Sequence, residues 1–295
     1  MPRSARAQLV PIKEVHRGKH GATVFAILKD KPSEEQRALM IVTKGKPRFM
    51  TKDFLDDLKA IQGQTSHPLA RVHEYDADLT WYTMSWVKGH HVGYLLGNCY
   101  TNGFPPFLLF RVLDQIFQAE QYLRTNGLCH VGLRGGENIM LRGGGHVMPY
   151  TTLIDYSNVE KYAANKAGQV LEEFIMLARC MTRGETKVPD YFRRVRGGRA
   201  FEDVPLAEAD WFYRYIAHWK WDGKQTLAGW WEGKENQIGI RLSANVFELK
   251  DDGMVAELMG WLKTPTVSDE EIAAANVSGG LDAIEEEEED DSATD

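Results

Sequence analysis

The sequence predicts an α+β protein, rich in strands with a single helix over its first third and mainly helical after that. Three observations carry the prediction. The short apolar runs VFAIL (24–28) and LMIVTK (39–44) flank the polar stretch KDKPSEEQR, the pattern of two paired strands. Between Phe49 and Gln62, Phe54, Leu55, Leu58 and Ile61 recur at helical spacing, which makes one amphipathic helix. From Phe107 to Thr125, Leu109, Val112, Leu113, Ile116, Phe117 and Tyr122 keep mostly to one face of a long helix, opened by Pro105-Pro106 and stopped by Asn126-Gly127.

The remaining elements follow in order. ARVHEYDADLTWYTMSWV (70–87) reads as two strands around an Asp76–Asp78 turn. NIMLRGGGHVMPYTTLID reads as a hairpin turning at Gly143-Gly144-Gly145, and a helix from Gln169 to Met181 stops near Gly184. Residues 186–262 hold six of the eight tryptophans and are expected to be mainly helical, with DWFYRYIAHWKWDG (210–223) as core and interlobe packing. No internal repeat is visible.

Charge sharpens the organisation. The net charge of −7 comes from 35 basic and 42 acidic residues, but nine of the acidic ones fall between Asp282 and Asp295 with no basic neighbour. The rest of the chain is therefore about +2. The stretch AIEEEEEDDSATD has too little apolar surface to offset its ordering entropy and is expected to be disordered. No apolar run reaches the roughly 18 residues of a membrane span. The N-terminal MPRSARAQLVPIKEV lacks the apolar core of a secretory signal. Cys99, Cys129 and Cys180 are odd in number and lack metal-site spacing, which reads as reduced thiols in a cytoplasmic or nuclear protein.

The chemistry concentrates in 113–158. LDQIFQAEQYLRTNGLCHVGLRGGENIML, a glycine hairpin and then LIDYS resemble the helix, catalytic loop (HRDLxxxxN), hairpin and DFG segment of protein kinases. His130, Leu133, Asn138 and Asp155 fall on matching positions. The resemblance spans about residues 10–265 and implies a two-lobed fold, with a β-rich N-lobe over 1–87 and a helical C-lobe over 88–265; by composition, 266–295 is expected to be a disordered acidic tail. An amide oxygen and a carboxylate joined by one hairpin suit the Mg²⁺ ions that bridge nucleotide phosphates, so Asn138 and Asp155 are the implied metal ligands. The same resemblance implies ATP contacts at Gly18 and Gly21 in GKHGATVF, with His16 where a first glycine is expected. It also places Lys44 at the end of its strand, Met84 at the gatekeeper position, and Ser85 to Val87 against an adenine.

The departures matter as much. Where kinases carry the base Asp, this chain reads His130-Val131-Gly132, and glycine can neither orient nor accept a substrate proton. The Arg of that motif is Val131 and the DFG glycine is Ser157. The helix over 49–62 offers Asp53, Asp56 and Asp57 but no Glu as a lysine partner. The stretch from Asp155 to the next helix is short for an activation segment and has no APE-like end. His130 is read as a structural histidine. Arg134 either stabilises a transferred phosphate, as a kinase loop lysine does, or pairs with Glu137. Arg183, Lys187, Arg193, Arg194, Arg196 and Arg199 form a basic cluster, read either as a solvated loop or as a dock for an acidic or nucleic-acid partner. The implied function is that of a pseudokinase: a regulatory or scaffolding module with a protein partner that retains ATP and Mg²⁺ binding. The alternative is an active atypical kinase or nucleotidyl transferase.

Overall fold

The computed structural model describes residues 9–18, 21–28, 36–41, 51–62, 68–143, 148–195, 204–220, 225–233, 238–239, 249–263 and 270–271. They fall into two compact units. One is drawn from Met1–Lys46, Val72–Trp86 and Thr266–Asp295, the other from Pro47–Arg71 and Val87–Pro265.

The first unit is a five-stranded antiparallel sheet. Its strands are β1 (Leu9–Gly18), β2 (Gly21–Leu28), β3 (Gln36–Ile41), β4 (Val72–Tyr75) and β5 (Trp81–Ser85), in the order β1-β2-β3-β5-β4. Alternation along β2 serves two faces. Val24 and Ala26 pack with Leu9, Leu39 and Trp81, while Phe25 and Ile27 meet Val10, Ile12, Val15 and Trp86. The Phe25 and Trp86 rings meet edge to face at 4.8 Å. Strand β1 was not expected from the sequence. Its register slips between Pro11 and Lys13 and again between Glu14 and His16, which scrambles the period-2 pattern that marks a strand. The β4–β5 turn is tied by one side chain. The Asp76 carboxylate accepts the Thr80 N–H and hydroxyl at 2.6 Å each and the Trp81 N–H at 3.2 Å. At its other end this unit includes Glu271, whose carboxylate pairs with Lys13 at 2.8 Å.

The second unit is built around α3 (Pro106–Thr125). Thirteen of its 20 residues are buried, including the polar Gln115 and Glu120. The earlier helix α1 (Lys52–Gln62) starts where Thr51 accepts the Phe54 N–H, and it buries Phe54, Leu55 and Leu58. Short β6 (His90–His91) leads into α2 (Val92–Asn98), whose N-terminal Tyr94 N–H is accepted by His91 Nδ1. After α3 come β7 (Leu128–His130), β8 (Ile139–Arg142), β9 (Tyr150–Leu153) and β10 (Val159–Lys161). These form two small sheets, β6-β8-β9 and β10-β7.

Helix α4 (Ala167–Thr182) ends on left-handed Arg183 and Gly184, as the expected stop near Gly184 requires. Then come α5 (Asp190–Val195), α6 (Val204–His218), α7 (Leu227–Glu232) and a closing helix, Asp252–Leu262, started by the Asp251 carboxylate. Several of the described aromatic residues of this region serve as core. Phe212, Tyr213, Trp230 and Trp231 are buried, and Trp211, Tyr215 and Trp230 stack in sequence. Arg179 of α4 donates to the carbonyls of Ile216, Ala217 and Trp219, satisfying the orphan acceptors at the end of α6.

Asp76→Ala removes three hydrogen bonds from one turn. It is expected to lower stability by about 1–2 kcal/mol, read as a drop in the urea midpoint at unchanged slope.

Candidate functional site

The site grows out of the segment that follows α3. Gly127, at φ +75°, turns the chain out of the helix into β7. Pairing of β7 with β10 sets His130 opposite Val159, and the Val131 N–H donates to the Asn158 carbonyl at 2.8 Å. The loop then runs to Asn138, enters β8 and returns along β9, with Ile139 opposite Leu153. The Ile154 N–H donates to the Asn138 carbonyl at 2.8 Å, which closes the hairpin at the end where Asp155 begins. The segment Pro68–Ala70 lies against β9. Ala70 N–H donates to the Leu153 carbonyl, Leu153 N–H to that of Pro68, and the buried Tyr156 hydroxyl to that of Ala70.

Four residues form the polar centre. The Asn138 side-chain amide donates to the Gly132 carbonyl at 2.7 Å. The Asn158 amide donates to Asp155 Oδ2 at 3.0 Å. Asp155 is held at φ +59°, a left-handed conformation uncommon outside glycine, asparagine and aspartate. Gly132 joins the two halves. A Cβ placed there would lie 2.7 Å from Asn158 Cγ, 2.8 Å from Asn158 Cβ and 3.0 Å from Asn138 Nδ2. The room a side chain at 132 needs is thus filled by Asn158. Sequence reasoning did not single out Asn158. The available signal was an asparagine three residues after Asp155, within reach of its carboxylate around one tight turn.

His130 is fully buried and both of its ring nitrogens are engaged. Nδ1 accepts the Gly132 N–H at 3.2 Å, so Nε2 carries the proton and donates to the carbonyls of Ile154 and Asp155 at 3.2 Å each. Burial lowers its pKa below the usual value of 6.5. Its own N–H is accepted by the buried Glu120 carboxyl group at 3.2 and 3.3 Å. Desolvation pushes Glu120 up to about 8, partly opposed by that hydrogen bond. A hollow of about 20 Å³ beside it, lined also by Phe117, Cys129 and Leu227, is large enough for one water molecule.

The other residues named from the sequence fall in several places. Arg134 is exposed and faces α4 rather than Glu137. Its N–H donates to Glu173 Oε2 at 3.0 Å, and its guanidinium lies 3.6 Å from Glu173 and 3.8 Å from Glu172. Gly18 and Gly21 are register partners closing the β1–β2 hairpin. Met84 is buried in β5 opposite Ala38 and Val72. The Ser85 hydroxyl bonds to His73 Nε2 at 2.9 Å, and Val87 is half-buried. Asp57 of α1 pairs with Lys161 at 3.5 Å. Lys44, Arg196, Arg199 and the tail from 272 onward lie outside the described residues, as do the side chains of Arg193 and Arg194. Of the basic cluster, Arg183 donates to the Leu96 carbonyl and Lys187 is exposed.

The donor set fits a hard cation only in company. Asn138 and Asp155 offer an amide oxygen and a carboxylate, the chemistry Mg²⁺ accepts alongside phosphates and water. Among the described residues no group of three or more His, Cys, Asp or Glu could hold a metal alone. Among the described residues no helix is long and apolar enough to cross a membrane. Between Asp155 and α4 the chain is taken up by a 3₁₀ turn (Tyr156–Asn158), β10 and a second 3₁₀ turn (Ala164–Lys166).

A sheet-built unit and a helical unit, with a loop, hairpin and Asp-Tyr-Ser segment in this order, define a protein with the protein-kinase fold. The chain is similar to the BubR1 kinase domain, with a TM-score of 0.58 over 87% of this chain and 84% of that one, at 12% identity. The PknI kinase domain of Mycobacterium tuberculosis matches at a TM-score of 0.46 and 15% identity, covering 72% of this chain and 93% of that one. No protein-family model and no curated protein sequence matches the chain. The likeness is one of fold.

Glu120 and His130 set opposite pH dependences. With its folded pKa raised, Glu120 adds stability that is full below its unfolded value of 4.5 and is lost as pH rises toward about 8. With its folded pKa lowered, His130 adds stability that is present above 6.5 and is lost as pH falls below it. Just below pH 6.5 the two slopes oppose each other, and from 6.5 to about 8 only the Glu120 loss remains. Glu120→Gln is expected to flatten the stability decline between pH 6.5 and 8 in denaturant titrations. An unchanged decline would place its source elsewhere.

Proposed function

We propose that this protein is a pseudokinase: a kinase-fold binding module that has lost phosphotransfer and holds Mg²⁺ and ATP through Asn138 and Asp155. One observation carries the reading. Gly132 stands where the catalytic loop of kinases bears its base, and Asn158 fills the space where a side chain would begin. His130 is a poor substitute, since both ring nitrogens are bonded inside the protein. Asn138 and Asp155, by contrast, are held by a connected set of hydrogen bonds suited to positioning a cation. When bound, Mg²⁺ would neutralise phosphate charge. The chain's own residues supply the oxygen donors and the left-handed turn that presents Asp155. Gly18, Gly21, Lys44, Met84, Ser85 and Val87 remain the proposed nucleotide contacts on motif correspondence.

Arg134 supports the same reading, because Glu172 and Glu173 hold it toward α4 instead of leaving it to a phosphate. The short structured link between Asp155 and α4 leaves little chain for docking a peptide substrate. The protein is therefore proposed to act through a protein partner. The active alternative, an atypical kinase or nucleotidyl transferase, draws on the ordered Asn138–Asp155 arrangement. Kinase chemistry relies mainly on positioning and charge stabilisation.

Mg-ATP is expected to raise the melting temperature, and Asp155→Asn, which tolerates the left-handed backbone, to reduce the shift strongly. A full shift in that variant would remove Asp155 from the site. Labelled ATP should give no transfer to protein, and transfer that disappears in Asp155→Asn would establish the active alternative. Gly132→Asp is expected to destabilise the protein without creating activity, because the new Cβ meets Asn158. Activity gained by that single change would contradict the blocked loop.

A further inference from the structure

We propose that Arg111, Arg142 and Tyr150 form a phosphoryl-binding site at the end of the β8–β9 hairpin remote from Asp155. Arg142 and Tyr150 are direct register partners across the hairpin, and Arg111 reaches the same ring from α3. The two guanidinium carbons lie 5.5 Å (Arg142) and 5.8 Å (Arg111) from the Tyr150 ring centroid. One α-helical turn after Arg111, the Gln115 side-chain oxygen accepts the Thr151 N–H at 2.8 Å, which fixes α3 against β9. Tyr150 is 40% exposed and Arg142 is exposed, so this side of the cluster is open to solvent.

Two positive charges are gathered here without a counter-charge. Among the described residues neither arginine forms an ion pair. The nearest carboxylate in sequence on the helix, that of Asp114, accepts the Gln118 amide at 2.9 Å. Among the described residues the Arg111 Nε is buried and makes no hydrogen bond. An aromatic face offsets part of a guanidinium's charge but cannot accept its in-plane N–H groups. With its Nε–H unpaired, the Arg111 guanidinium has donor capacity left over. A phosphoryl group supplies what is lacking. Its oxygens accept from forked guanidinium donors, and its two negative charges match the two positive ones, whereas a carboxylate matches one.

The site goes beyond the proposed nucleotide function and does not rest on it. Across the hairpin, Arg142 is three residues along β8 from Ile139, about 10 Å from the end that adjoins Asn138 and Asp155. The phosphoryl group could come from free phosphate or from a phosphorylated side chain, and calorimetric titration of the full chain separates them. Inorganic phosphate and terminally blocked phosphoserine are titrated at constant ionic strength against chloride. Saturable binding of either is expected, and the tighter one names the source. Arg142→Gln, at an exposed strand end, is expected to weaken binding at least about tenfold with an unchanged circular dichroism spectrum. Asp155→Asn is expected to leave binding unchanged, which keeps this result separate from the nucleotide reading. Arg111→Met removes the orphaned donor and should be as stable as the parent protein without phosphate, yet gain nothing when phosphate is added. No saturable binding above chloride, or equal binding by Arg142→Gln and the parent protein, overturns the proposal.

Discussion

The buried hydrogen bond between the Glu120 carboxyl group and the His130 backbone is the link on which the site depends. It joins the central helix to the loop, and the histidine ring passes the constraint on to the carbonyls of Ile154 and Asp155. From Asp155 the chain of contacts runs through Asn158 to the space beside Gly132, and from Gly132 through its carbonyl to Asn138. Each member is polar, each is wholly or partly buried, and each is partnered. Such a network specifies one arrangement because any member left alone would be costly in a low-dielectric interior. Gln115 adds a second hold on the same hairpin from the same helix.

The geometry also explains how a kinase-like loop can keep its shape without its usual acidic residue. Removing a side chain from a packed loop leaves a void, and voids forfeit contacts on every wall. Here the neighbouring Asn158 supplies both the volume and a hydrogen bond to Asp155. Helix α4 provides similar compensation at Arg134, where Glu172 and Glu173 neutralise a charge that would otherwise sit beside the loop. Arg134 and Glu172 are exposed, and their pairing contributes little to stability. Its effect is to orient the arginine.

Much of this was legible in the sequence, for identifiable reasons. Helix α3 announced itself by periodicity and by its proline and glycine ends, and the structure starts it one residue earlier, at Pro106. The β8–β9 pairing and the Asn138–Asp155 spacing were legible because two short apolar runs flank a glycine-rich stretch; Gly144 and Gly145 themselves lie outside the described residues. Strand β1 was hidden by two register slips, and β7 and β10, three residues each, are too short to carry a pattern and exist only by pairing with one another. Helix α2 has seven residues, too few for a clear period. The role of Asn158 was not legible because it arises from an absence: a residue three positions from Asp155 matters only once the chain has folded Gly132 against it. The unsatisfied Nε of Arg111 is likewise a fact of packing, invisible in a list of residue types.

The crowding at Gly132 has a consequence for how this sequence can change. Substitutions at 132 and 158 are not independent steps. With Asn158 in place, any residue larger than glycine at 132 must displace it, whereas a smaller residue at 158 leaves a gap that a new side chain at 132 could enter. A permissible mutational route therefore has an order, with 158 changing first, and the two positions behave as one epistatic unit. In homologues of this chain, a side chain at 132 and a bulky polar residue at 158 should exclude one another, a pattern of covariation that steric overlap alone would produce.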